Sequence, residues 1–304
     1  MHGDSQVSMS SAERGMTDDQ AAGLRRMVTP RPVQVIAVTS GKGGVGKTNV
    51  SVNLAMALAR MGRKVLLMDA DLGLGNVDVQ LGLSPKYNLS HVIDGSRSLE
   101  EVIVEGPLGV YVIPAASGVK KMAELTPGEN AGLIHAFGHL SLAIDTMIVD
   151  TAAGIAESVV SFARAAREVV VVVCDEPASI TDAYAMIKVL SREYGVQRFH
   201  VIANMTHHPQ EGRKLYGKLL AVTDRFLDVT LGFLGAVPYD EYLRKAIQRQ
   251  QPVVVAYGGS RSAQAFSEMA TRVAKWPRPR TVEGHLEFFM ERLVQYASTR
   301  EPVT

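Results

Sequence analysis

Residues 41 to 48 read Gly41-Lys42-Gly43-Gly44-Val45-Gly46-Lys47-Thr48, and no other stretch of the chain restricts its fold as much. The run satisfies G-x-x-x-x-G-K-[ST] at every position. Its glycines free the backbone to enter conformations that other residues avoid and to come close to a ligand. An apolar, β-branched segment, Val33 to Thr39, precedes it. After it, Asn49 to Arg60 has helical period, with Val52, Leu54, Ala55, Leu58 and Ala59 on a core-facing surface and Gly62 as the stop. A strand, a glycine loop and a helix in that order set backbone N–H groups and the positive end of a helix dipole around phosphate. Lys47 is expected to reach the β and γ phosphates and Thr48 to ligate Mg2+, with the loop from Gly41 through Asn49 forming the ATP contacts.

Six further runs read as buried parallel strands: Lys64 to Met68, Val110 to Pro114, Thr146 to Asp150, Glu168 to Cys174, Phe199 to Ala203 and Phe233 to Val237. Segments of helical period separate most of them. The alternation predicts an α/β fold, a doubly wound, mainly parallel sheet with helices on both faces and its ligands at the carboxyl ends of the strands. With 304 residues, 46% of them hydrophobic, the chain can bury such a core. The expected organisation is an arm over residues 1–32, an ATPase domain over 33–275, and a linker with an amphipathic helix over 276–304.

Two acidic sites belong to the same chemistry. Asp69-Ala70-Asp71 follows the second strand, and Asp150-Thr151-Ala152-Ala153-Gly154 follows Thr146 to Val149. Short carboxylates at strand ends can hold Mg2+ through water and orient a nucleophile. Asp150 is the expected magnesium residue, in a Walker B pattern.

The sequence Ser40-Gly41-Lys42-Gly43-Gly44-Val45-Gly46-Lys47-Thr48 resembles the MinD/ParA family of deviant-Walker ATPases over about Val33 to Tyr257. The resemblance implies that Lys42, which on its own would pass for a solvated lysine, contacts the phosphate of a second subunit across an ATP-dependent homodimer. Two uncompensated Lys42 ammonium groups would then keep the nucleotide-free protein monomeric. It also implies that Lys42, Lys47 and Asp71 are catalytic, with Asp71 orienting water. Asp69 would support the magnesium shell and its loop, and Gly154 would approach the γ-phosphate. The family often has proline where this chain has Ala152. Asn204, Pro238 and Asp240 fall where the family holds the base. Asn204-Met205-Thr206-His207 lacks the N-K-x-D of guanine-specific proteins, which favours ATP over GTP.

Within that family, the runs Asp175 to Tyr184, His208 to Arg213 and Gly284 to Phe289 are similar to the FlhG (FleN) number regulators of bacterial flagella. That resemblance implies an ATPase working with an FlhF-type SRP GTPase, with flagellar switch proteins and, in some bacteria, with a FleQ-type transcriptional activator. A MinD/ParA-type role in positioning cell-division sites, chromosomes or plasmids is the alternative. In the arm, Thr17-Asp18-Asp19-Gln20 reads as a capping box. Asp19 to Arg25 matches the DQAxxLR element, giving Asp19, Gln20, Leu24 and Arg25 as partner-binding residues. In the tail, Leu286, Phe289, Met290 and Leu293 share one side of a helix. The resemblance implies a membrane-targeting helix. The opposite side carries Glu287, Glu291 and Arg292, a poor match to anionic lipid, so docking on a membrane and packing on protein both remain open.

Composition narrows the classes. A net charge of +1 from 32 basic and 31 acidic side chains gives no field for coating nucleic acid, and no direct nucleic-acid binding is expected. The single cysteine, Cys174, sits in an apolar run and is expected to be a buried thiol, which leaves no intrachain disulfide and no ligand set for an iron–sulfur cluster. The first residues lack the apolar stretch of a signal peptide. A cytoplasmic location, with reversible contact to the inner membrane face at a cell pole, is the expectation.

Overall fold

The computed structural model describes residues 32–71, 75–115, 125–277 and 285–298. Its strands are β1 (Gln34–Ser40), β2 (Val65–Ala70), β3 (Val104–Glu105), β4 (Tyr111–Ile113), β5 (Thr146–Ala153), β6 (Glu168–Val173), β7 (Arg198–Thr206) and β8 (Thr230–Pro238). They form one sheet in the order β3-β4-β2-β5-β1-β6-β7-β8. All pairings are parallel except that of β3 with β4. The expected doubly wound α/β sheet is what the chain forms.

Strand β1 shows why both faces need helices. Ile36 and Val38 join one apolar cluster, while Val35 and Ala37 join the cluster on the other side. Covering helices are α1 (Lys47–Arg60), α2 (Pro127–Gly138), α3 (Glu157–Ala165), α4 (Pro177–Arg192), α5 (Pro209–Phe226), α6 (Glu241–Gln248), α7 (Arg261–Val273) and α8 (Leu286–Ser298). Helices α1 and α7 pack against each other on the face of Ile36. Helices α2, α3 and α8 pack together on the face of Val35. The neighbours of β1 are β5 on one side and β6 on the other. Its carboxyl end therefore lies where the winding direction reverses, the place where open α/β sheets hold ligands.

The observed elements differ from the expected ones in three instructive ways. Strands β5 and β7 run three residues past their apolar runs, because pairing of Ser40 with Ala153 and of Thr206 with Pro238 continues where hydrophobic patterning has stopped. The two-residue antiparallel β3 is too short to have a period. Helix α1 is buried on nearly every side, including Asn49, Ser51 and Asn53, because α7 and the turn at Val254 cover what would have been its polar face.

The tail helix is the clearest case of one expectation displacing another. In α8, Phe289, Met290 and Leu293 are fully buried and Leu286 and Ala297 nearly so, packed against α2 and α3. The apolar side that could have faced lipid is spent on the protein's own core. In this conformation the packing alternative is realised, and membrane docking would require α8 to leave its seat. Among the described residues no helix is long and apolar enough to cross a membrane.

Edge strand β8 carries a bulge. The register steps from Val201 opposite Phe233 to Ile202 opposite Gly235, leaving Leu234 as the extra residue. Arg272 of α7 donates to the Leu234 carbonyl.

Candidate nucleotide site

The loop between β1 and α1 is shaped by its glycines. Gly46 is left-handed, at φ 83°, and caps the amino end of α1. A Cβ there would lie 2.4 Å from Asn204 Nδ2. At Gly41 a Cβ would lie 2.3 Å from the backbone carbonyl carbon of Asp182, so the loop fits against the start of α4 only without a side chain. Gly43 and Gly44 are exposed, Val45 is buried, and Asn204 Nδ2 donates to the Val45 carbonyl at 2.8 Å.

Beneath the loop is a buried polar cluster. Lys47 Nζ lies 2.8 Å from Asp150 Oδ1, and both side chains are buried. Ser51 Oγ donates to the same oxygen at 2.7 Å. Asp150 Oδ2 is buried without a hydrogen-bond partner. A buried acceptor left unmatched beside a lysine and a serine is what a hydrated divalent cation and phosphate would satisfy. The residues present thus fit Mg2+ and a nucleotide. Thr48, half-buried in the first turn of α1, completes that set.

Asp69 sits directly opposite Asp150 in the pairing of β2 with β5. Burial, and then the neighbouring Asp150 carboxylate, push Asp69 up to about 7. Its two oxygens accept the amides of Asp71 at 3.1 Å and Val77 at 3.0 Å. Asp69 thus ties Asp71 to Val77. Asp71 itself is half-buried, directly after β2. Gly154 ends β5 at φ 93° and donates its N–H to the Ser40 carbonyl at 2.8 Å, with open space where a side chain would be.

Lys42 has a partner that the sequence reading missed. Its Nζ meets Glu176 Oε2 at 2.8 Å, and this hydrogen bond, with the charge of Glu176, raises the Lys42 pKa above its ordinary value. This corrects the expectation of an uncompensated ammonium in the nucleotide-free state. Each Lys42 ammonium has a counter-charge within its own chain. Glu176 stands at the turn from β6 into α4, and the Asp175-Glu176-Pro177 run was the only available signal. Ser51, one turn beyond the glycine loop, was missed because a serine in an apolar helix looks like a core residue.

The base region is corrected in part. Asp240 does not face outward as a base ligand. Its Oδ1 accepts the Tyr242 amide, capping α6, and its Oδ2 accepts both the amide and hydroxyl of Ser262 at 2.9 Å. Burial pushes the Asp240 carboxyl up, but these hydrogen bonds outweigh it and hold the group below its usual range. Asn49 likewise turns its side-chain oxygen along α1 toward Asn53 Nδ2. Pro238 ends β8, and the adjacent Tyr239 amide donates to the Thr206 carbonyl, tying the two base-side turns together. The ring of Tyr239 stacks on His207, and Met205 between Asn204 and Thr206 is left-handed at φ 58°. Asp19, Gln20, Leu24 and Arg25 lie outside the described residues. Among the described residues there is no cluster of three or more His, Cys, Asp or Glu that could hold a metal ion.

A glycine loop at the switch point of a parallel sheet, with lysine, serine and aspartate converging beneath it, defines a P-loop ATPase of the MinD/ParA class. The chain belongs to the family described as the CobQ/CobB/MinD/ParA nucleotide binding domain, whose model matches residues 36–253. It is 59% identical over 280 residues to the antiactivator FleN of Pseudomonas aeruginosa, covering 92% of this chain and all of that protein. It is 34% identical to the flagellum site-determining protein YlxH of Helicobacter pylori, over 86% of this chain and 90% of that one. Among solved structures it is similar to the septum site-determining protein MinD of Pyrococcus horikoshii complexed with Mg-ADP, at 29% identity and TM-score 0.64, covering 80% of this chain and 96% of that one.

Proposed function

We propose that this protein is an ATP-dependent dimerising switch that regulates the number and placement of bacterial flagella. The observation that carries this reading is the 59% identity to an antiactivator FleN across the whole of that protein. The intact phosphate cluster of Lys47, Ser51 and Asp150 supports turnover in place of mere nucleotide storage.

In this reading Lys47, Thr48 and the loop amides of Gly43 to Gly46 hold the phosphates, and Asp150 holds Mg2+ through water. Bound magnesium would neutralise the developing charge of phosphoryl transfer. Lys47 exchanges Asp150 for phosphate when nucleotide enters. Lys42 exchanges Glu176 for the phosphate of a second copy of the chain, which makes assembly depend on ATP. Asp71 orients the attacking water, and Asp69 holds Asp71 through its backbone amide. Asn204, Pro238 and the Tyr239 turn face the base. Residues 1–32 act as a separate arm that stimulates an FlhF-type GTPase through Gln20 and Arg25. Flagellar switch proteins and a FleQ-type activator are the further partners. The protein works in the cytoplasm, and membrane contact, where it occurs, follows release of α8.

The test is to delete the gene in its host and count flagella per cell, then restore it with the parent or with Lys47→Ala. The expected result is a changed flagellar number that the parent corrects and the variant does not. An unchanged count, or full rescue by Lys47→Ala, would overturn the reading.

A further inference from the structure

The amino-terminal ends of β6 and β7 open into a cavity of about 410 Å³. Its walls come from the end of α3, the turn after α4, and Tyr296 of α8. Strands β1, β6 and β7 run parallel, and the phosphate loop leaves the carboxyl end of β1. The cavity is therefore on the opposite edge of the sheet, ~20 Å away for a six-residue strand. It is separate from the nucleotide site.

Its lining is unbalanced in charge. Arg164, Arg167 and Arg198 face a single carboxylate, that of Glu168. Glu168 is already engaged, with Oε2 at 2.9 Å from His200 Nε2 and Oε1 at 3.9 Å from Arg198 Nη1. Among the described residues neither Arg164 nor Arg167 has a carboxylate within ion-pairing distance. The Arg164 guanidinium is instead clamped between two rings, 4.5 Å from the centroid of Tyr194 and 3.9 Å from that of Tyr296. A guanidinium held by its faces keeps the N–H donors along its edge in a fixed plane. Gathering such cations in a concavity raises the local potential, and an anion entering it is stabilised accordingly.

The donor geometry selects among anions. Guanidinium groups pair in bidentate fashion with phosphate, which brings more acceptor oxygens and more charge than a carboxylate and so can engage three arginines together. The volume suits a small ligand. We propose that this cavity binds a phosphate-bearing anion, with Arg164, Arg167 and Arg198 as its ligands and with Tyr296 coupling its occupancy to the seating of α8. A phosphate held by Arg164 stiffens the ring clamp, and through Tyr296 it fastens the last helix to the core. The phosphate is that of a soluble monoester or polyphosphate, because a phosphodiester lipid headgroup offers only two free oxygens and one charge, as a carboxylate does.

The protein contains its own reporter. Trp276 is the only tryptophan in the chain, and its ring stacks on His200 at 4.0 Å, which in turn contacts Glu168. The experiment uses full-length protein saturated with Mg-ADP, so that the phosphate loop is filled. Inorganic pyrophosphate is titrated in excess magnesium, and in parallel vesicles of phosphatidylglycerol or of phosphatidylcholine are added. Trp276 fluorescence and calorimetric binding are read.

The expected result is a saturable response weakened ~10-fold or more in Arg167→Gln/Arg198→Gln and in Arg164→Ala, with ADP affinity unchanged. The first two arginines are exposed, so their replacement leaves the core intact and the ADP measurement checks the fold. A variant-sensitive response to pyrophosphate supports the proposal, and a response confined to phosphatidylglycerol would overturn it. No response to either probe, or one that survives the double substitution, would overturn the proposal.

Discussion

Lys42 and Lys47 are five residues apart on one loop, yet they hold very different carboxylates. Lys47 and Asp150 are both buried, whereas the Lys42 and Glu176 side chains are 41% and 57% exposed. Solvent screens an exposed pair, so Glu176 restrains Lys42 without trapping it. Lys42→Ala is expected to bind ATP through Lys47 and the loop amides but to stay monomeric and inactive. Asp71→Ala is expected to dimerise on ATP and remain dimeric, because its water is not oriented. Glu176→Gln should dimerise at lower ATP than the parent. Light scattering with and without Mg-ATP decides all three, and a normally dimerising Lys42→Ala or a monomeric Asp71→Ala would refute the assignment. Asp69 sets a pH dependence. Its folded pKa of about 7 lies above the ordinary 3.8, so the folded state binds the proton more tightly. The resulting stability is fully present below about pH 4 and is lost as pH rises through 7. The melting temperature of the nucleotide-free parent should fall between pH 5 and 8 more steeply than that of Asp69→Asn, as scanning fluorimetry would show.

At the level of elements, α8 is where patterning stops being informative. A side made of Leu286, Phe289, Met290 and Leu293 suits a core as well as a bilayer, because both offer only the absence of water. What decides is whether a matching apolar surface exists elsewhere in the chain, and α2 and α3 supply it. The phosphate loop was legible to the residue because its glycines carry backbone requirements that no other residue meets. Asp240 was not, because an aspartate after a strand caps the next helix or contacts a ligand with the same local sequence. Burying a side chain such as Leu293 is worth about 1.5–3 kcal/mol. Leu293→Asp, which places a charge there as well, should lower the unfolding free energy by several kcal/mol in a denaturant titration. A loss under 1 kcal/mol would mean that α8 spends most of its time away from the core.

Across the whole molecule, the two ends of the sheet are finished differently. One ends in the two-residue β3, which offers little for another strand to pair with. The other ends in β8, nine residues long and open. Long open edges invite sheets to grow from one molecule to the next. Here the extra residue Leu234 breaks the spacing of the exposed amides and carbonyls, and Arg272 occupies the carbonyl that the bulge displaces. The finish of this edge thus rests on one side chain, that of Arg272. Arg272→Ala should retain ATP binding and turnover when dilute, yet form thioflavin-positive aggregates on concentration that the parent does not. The bulge and its arginine thus act as a stop on the long edge, where one sheet would otherwise continue into the next.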